Sequence, residues 1–187
     1  MDISVVLIAI MVAAIVVLLF AWCVYNRLVA MRNNVRNAWS DVGVQLRFRH
    51  DLVPDLVESV KGYMSHERET LASVALARSA AMTSHTDIAI RAVTELALSS
   101  ALGSLFAKAE RYPDLKASRN FLLLHEQLTT TENRIAFARQ HYNETARQFN
   151  TLIAEFPWNL VAGVLRYSPE QMFGVESQDR TAVEMAT

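Results

Sequence analysis

Cysteine occurs once in the 187 residues, at Cys23 inside an apolar run, so no intrachain disulfide can form and no cysteine-based metal site can assemble. Proline and glycine are scarce, at four and five residues, which argues against a sheet-rich fold full of tight turns and for long helices. No stretch alternates apolar and polar residues as a half-buried strand does. A basic excess is also missing. Eighteen Lys and Arg stand against 19 Asp and Glu, so the electrostatic footprint of a nucleic-acid binder is absent. Neither a glycine-rich phosphate loop nor a G-x-S-x-G elbow is present. His66-Glu67-Arg68-Glu69-Thr70 begins like a zinc-protease helix but carries Thr70 where the second histidine must stand. His66 with Glu69 and His141 with Glu144 reverse the Glu-x-x-His order of di-iron bundles. The expectation is therefore a protein that is not an enzyme, with no catalytic residue, cofactor or metal site.

Charge is lacking altogether from residues 3–25, ISVVLIAIMVAAIVVLLFAWCVY. As a helix this run is about 33 Å long, close to the hydrocarbon thickness of a bilayer. A helix satisfies its own backbone hydrogen bonds in lipid, so the run can cross as it stands. A cleaved signal peptide fits poorly, because only Asp2 precedes the run and no small-residue cleavage site follows it. Trp22, Tyr25 and Arg27 at its far end suit the membrane interface. Arg27, Arg32 and Arg36 follow the span and no basic residue precedes it. The positive-inside rule then predicts a short external N-terminus and a cytoplasmic C-terminal domain at a bacterial inner membrane.

What is present beyond Tyr25 is helical periodicity. Leu28, Val35, Trp39, Val42 and Leu46 share one face, so the span is expected to continue directly into an amphipathic helix. His50-Asp51-Leu52-Val53-Pro54 reads as a turn with Asp51 as N-cap of a second helix, reaching about Ala81 with Gly62 in its middle. One helix kinked at Pro54 is the alternative. Thr83-Ser84-His85-Thr86-Asp87 reads as a loop with a cap, ahead of a third helix bearing Ile88, Val93, Leu96, Leu102, Leu105, Phe106 and Ala109, and Ser118 caps a fourth. Phe121, Leu128, Ile135, Tyr142, Phe149 and Phe156 recur every seventh residue, the seam of a bundle. The expected fold is all-α. A transmembrane helix (1–25) leads into an antiparallel up-down four-helix bundle (26–156), followed by a tail (157–187), apolar at first and then polar and mobile.

Two surfaces stand out. Asp51, Asp55, Glu58, His66, Glu67 and Arg68 form a dense polar stretch that is a candidate partner surface; a merely solvated face is the bland alternative. The tail's FPWNLVAGVL places Trp158, Leu160, Val161 and Leu165 as candidate lipid-facing residues, unless the segment folds back onto the bundle.

The stretches YNRLVAMRNNVRNAWSDVGVQLRFRHDLVPDLVESVKGYMSHERETL, ALGSLFAKAERYPDLKASRNFLLLHEQL and TENRIAFARQHYNETARQFNTLIAEFPWNLVAG resemble the LemA family of bacterial membrane proteins. With the N-terminal span they cover nearly the whole chain. One departure is His125 in FLLLHEQL, where the family resemblance implies glutamine. The resemblance implies a membrane-anchored antiparallel four-helix bundle but supplies no mechanism, since the family has no established biochemical activity. The leading expectation is a non-enzymatic scaffold binding an unknown protein partner or other copies of itself as a homo-oligomer. The alternative is an oligomeric membrane-remodelling or envelope-stress protein with its tail on membrane lipid, and behind it stands a cryptic metal-binding enzyme.

Overall fold

The structure, a computed structural model, describes residues 3–83 and 87–174. Those residues are all-helical, with no strand among them. The elements are α1 (Ile3–Lys61), α2 (Arg68–Thr83), α3 (Ile88–Ala109), α4 (Pro113–Lys116), α5 (Arg119–Ala154) and α6 (Trp158–Val164). The expectation for the polar residues after Gly174 lies outside the described residues. The chain divides into two compact units, to both of which α1 and α5 contribute.

The first unit holds residues 3–38 and 144–170. The apolar window at the start of α1 is long enough to cross a membrane, and none of it is buried. Burial begins at Val24 and then follows Leu28, Met31, Val35 and Ala38. Val24 and Leu28 form a cluster with Ala162 of α6, joined by Leu152, Ile153, Trp158, Val161 and Tyr167. Tyr167 is capped edge-on by Phe149, with ring centres 5.9 Å apart, and lies 4.9 Å below the Arg32 guanidinium. The Asn150 side chain clamps the backbone of Glu170, donating to its carbonyl (2.9 Å) and accepting from its amide (2.7 Å). Phe156 departs from the expected seam. Helix α5 stops at Ala154, so the seventh-residue rule no longer applies, and Phe156 is 78% exposed.

The second unit holds residues 39–143 and 171–174. Its core joins Leu52, Val53, Leu56, Val60 and Met64 with Val74 and Ala81 of α2, Leu98, Leu102 and Leu105 of α3, and Phe121 and Leu128 of α5. Leu115, the buried residue of the single turn α4, completes the connection between α3 and α5. Trp39 packs on Tyr142 (5.0 Å) and Phe173 (5.6 Å), and Asn143 clamps the Phe173 backbone as Asn150 does that of Glu170. His125, the departure from the family pattern, sits against the rings of Phe106 (4.4 Å) and Phe121 (6.1 Å).

Two helix boundaries and one buried stripe correct the sequence reading. The turn expected at Pro54 does not form, and α1 passes through it to Lys61, with Asp51 an exposed interior residue rather than an N-cap. An internal proline costs about 3 kcal/mol, but breaking the helix there would unseat Leu52, Val53, Leu56 and Val60, at about 1.5–3 kcal/mol for each buried side chain. Burial wins. The proline also leaves the His50 carbonyl without its usual amide donor, and Arg78 Nε supplies a bond to that oxygen at 2.7 Å. Second, the chain breaks at residues 62–67 instead, so Gly62 is not in mid-helix and a Cβ there would meet nothing within 4 Å. Glycine's low helix propensity places the stop, and fully buried Met64 anchors the turn. Third, the buried stripe of α3 is Glu95, Leu98, Leu102, Leu105 and Ala109, leaving Val93 and Leu96 exposed. Its start was legible: Asp87 Oδ1 accepts from the amides of Ala89 (2.8 Å) and Ile90 (3.4 Å).

Candidate functional site

A buried polar cluster occupies the second unit where α1, α3 and α5 meet. Leu28, Val35, Val42, Arg49 and Leu56 repeat every seventh residue along α1, and Arg49 takes a place otherwise held by aliphatics. Its Nη1 donates to Ser99 Oγ (2.7 Å) and Glu132 Oε2 (2.6 Å), and its Nη2 to the Glu95 carboxylate and, at 3.3 Å, to the Glu95 carbonyl. His50 Nε2 lies 3.0 Å from Glu95 Oε1 and 3.2 Å from Oε2; an ionised carboxylate only accepts, so Nε2 carries the proton. Burial pushes the Glu95 carboxyl up, but the His50 hydrogen bond and the Arg49 charge outweigh it, and the group stays below the ordinary carboxylate range. One cation thereby ties three helices together. A cavity of about 110 Å³ lies beside it, lined by Leu46, Ala92, Ser99, Ile135 and Phe173 among others.

The sequence-predicted partner residues separate in space. Asp55 and Glu58, on the exposed side of α1, line a groove of about 410 Å³ with Ser59 and with Asn120, Leu123 and Leu124 of α5. Asp51, His66 and Arg68 are exposed and do not line it. Glu67 is half-buried and committed elsewhere: its carboxylate accepts from Lys108 Nζ (2.8 Å) and Arg111 Nη2 (2.9 Å), joining the entry of α2 to the exit of α3. The hydrogen bond from Lys108 is the main reason the Glu67 carboxyl is held low. A depressed carboxylate pKa stabilises the fold above the unfolded value and loses that effect as pH falls through the folded one. The thermal midpoint should therefore decline as pH falls from about 5 toward about 3. Glu67→Gln should flatten that decline, as a pH series of melts will show.

Of the interface residues, Trp22, Tyr25 and Arg27 are all exposed on α1. In the tail, Trp158 and Val161 pack toward Val24 and Leu28, while Leu160 and Leu165 face outward. Among the described residues no group of three His, Cys, Asp or Glu side chains is placed to hold a metal ion. Helix α3 is also long and apolar enough to cross a membrane, but its buried stripe contains Glu95 paired to Arg49, which marks it as a domain helix.

Sequence reasoning missed Arg49, Glu95 and Arg78. The signal for Arg49 was its heptad position, seven residues after Val42. Glu95 sits seven before Leu102, and Arg78 is paired to a carbonyl that only Pro54 leaves free.

A chain that is all-helical among the described residues, with a first helix that opens in an exposed apolar window long enough to cross a membrane, suggests the class of membrane-associated helical proteins. The model of the LemA family matches residues 38–186. Protein LemA of Metamycoplasma hominis is 30% identical over 161 residues, covering 85% of this chain and 73% of that protein. The chain is a member of the LemA family. Magnetosome protein MamQ 2 of Paramagnetospirillum magneticum is 33% identical over 73 residues, which is 39% of this chain and 27% of that protein. Magnetosome protein MamQ of Magnetospirillum gryphiswaldense is 30% identical over a stretch of the same length.

Proposed function

We propose that this LemA-family chain is a single-pass scaffold of the bacterial inner membrane, its N-terminus outside and its helical domain in the cytoplasm. Residues 3–25 are the span, and Arg27, Arg32 and Arg36 hold their side in the cytoplasm. The second half of α1 with α2, α3 and α5 makes an up-down-up-down bundle, for which the short connections between helices speak. The observation that carries the scaffold reading is the groove beside Asp55 and Glu58. It sets two carboxylates against Leu123 and Leu124, a surface suited to a helix or strand with apolar anchors flanked by Lys or Arg. Glu58 is held only loosely inside the chain, with Lys61 Nζ 3.9 Å away and both groups exposed, so it is free to pair with a partner.

A photocrosslinking residue at Leu123, activated in intact cells, tests this. It should join a reproducible partner peptide, and Asp55→Lys with Glu58→Lys should cut the yield about tenfold, the loss of one well-placed contact. The bundle should keep its melting temperature, since both residues are exposed. Unchanged yield after charge reversal, or uncrosslinked monomer alone, would sink the reading.

A further inference from the structure

We propose that the outer face of α6 lies in the lipid interface, as a second membrane contact beside the span. This rests on the reading of residues 3–25 as membrane-spanning. The ten residues 156–165 carry no charge and are bounded by Glu155 and Arg166. Inside that stretch Phe156, Leu160 and Val164 fall four residues apart, at 78%, 62% and 83% exposure, with Leu165 beside them. The opposite side of α6 is fixed, because Ala162 is buried and Trp158 and Val161 pack against the cluster of Val24 and Leu28.

That docking point decides what covers the exposed side. Val24 and Leu28 flank Tyr25 and lie within about two turns of Trp22, the residues that end the exposed apolar surface of α1. Helix α6 is thus held at the level where the span leaves the hydrocarbon, and its apolar side extends the same uncharged surface. A water-facing helix of a soluble domain carries charged side chains there. An interfacial one buries Leu, Val and Phe about 5–10 Å below the headgroups. Arg166 and Arg27, both exposed, stand where headgroup phosphates pass. The two halves of FPWNLVAGVL therefore do different work: Trp158, Val161 and Ala162 hold the helix to α1, and Phe156, Leu160, Val164 and Leu165 meet lipid.

The test uses the full chain in vesicles of phosphatidylcholine and phosphatidylglycerol, with Cys23→Ala removing the one native thiol. Single cysteines at Leu160→Cys, Val164→Cys, Leu18→Cys and Ser40→Cys carry an environment-sensitive fluorophore. Each variant is checked for native helix content and melting temperature. Lipids bearing a nitroxide near the headgroup should quench the probes at Leu160 and Val164 at least about twofold more than the one at Ser40, as expected for an interfacial depth. Lipids with the nitroxide at mid-chain should quench the probe at Leu18. If Leu18 is quenched but Leu160 and Val164 behave as Ser40 does, α6 faces water and the proposal falls while the anchor stands. If Leu18 is not quenched either, the span reading fails and takes the proposal with it. Blue-shifted probes at Leu160 and Val164 that ignore nitroxide lipids mean that protein covers the face, which also overturns it.

Discussion

Glu95→Ala is expected to lower stability by about 3–5 kcal/mol, the cost of stranding a buried cation. At about 2–4 °C per kcal/mol for a chain of this size, the thermal midpoint should drop by roughly 10 °C. The side chains of Arg49 and Glu95 are only 2% and 5% exposed, so water cannot replace the lost carboxylate, and the bond that Glu132 keeps to Nη1 leaves Nη2 without its carboxylate partner. Glu132 bonds the same guanidinium but is 51% exposed, and Glu132→Ala should change stability by no more than about 1 kcal/mol. Removing both buried charges together, as Arg49→Met with Glu95→Leu, should recover most of the loss, because a packed apolar pair of similar volume needs no compensation. The cluster then reads as a device that sets the register of α1, α3 and α5. A midpoint for Glu95→Ala within about 2 °C of the native value would contradict this account.

The second large effect concerns Pro54 and Arg78, which should be energetically coupled. Arg78→Ala removes the bond to the His50 carbonyl and should cost about 1–2 kcal/mol. In a Pro54→Ala background the restored amide can satisfy that carbonyl within the helix, so the same substitution should cost almost nothing. Pro54→Ala alone should raise stability, by up to about 3 kcal/mol. A double-mutant cycle with denaturant melts measures the coupling, expected near 1–2 kcal/mol. Additive effects would show that Arg78 acts independently of the proline.

Which features the sequence disclosed follows from how each residue type signals. The seam of α5 was legible from Phe121 to Phe149 because each of those residues is apolar and buried on a strict repeat. The apolar window that opens α1 and the Asp87 cap were legible because each signals within a few consecutive residues. The course of α1 through Pro54 was not, since local rules penalise the proline while the offsetting contacts, in α2 and α3 and through Arg78, are distant in sequence. Arg49 and Glu95 stayed hidden because a charged residue reads as a surface residue until its partner is known, and that partner lies 46 positions away. The groove was half visible: Asp55 and Glu58 stood out as a charged pair, but Leu123 and Leu124 come from another helix.

The segment after α6 is held by a different kind of contact. Asn150 grips the amide and carbonyl of Glu170, Asn143 grips those of Phe173, and the Tyr142 hydroxyl donates to the carbonyl of Gln171 at 2.6 Å. All five bonds address the main chain, which every residue type shares but for the amide that proline lacks. The helix therefore acts as a template indifferent to the identity of the side chains it guides, and residues 168–172 are free to diverge while the path they trace is kept. The burden of specificity passes to Tyr142, Asn143 and Asn150, and to Phe173, whose ring alone on that path is buried.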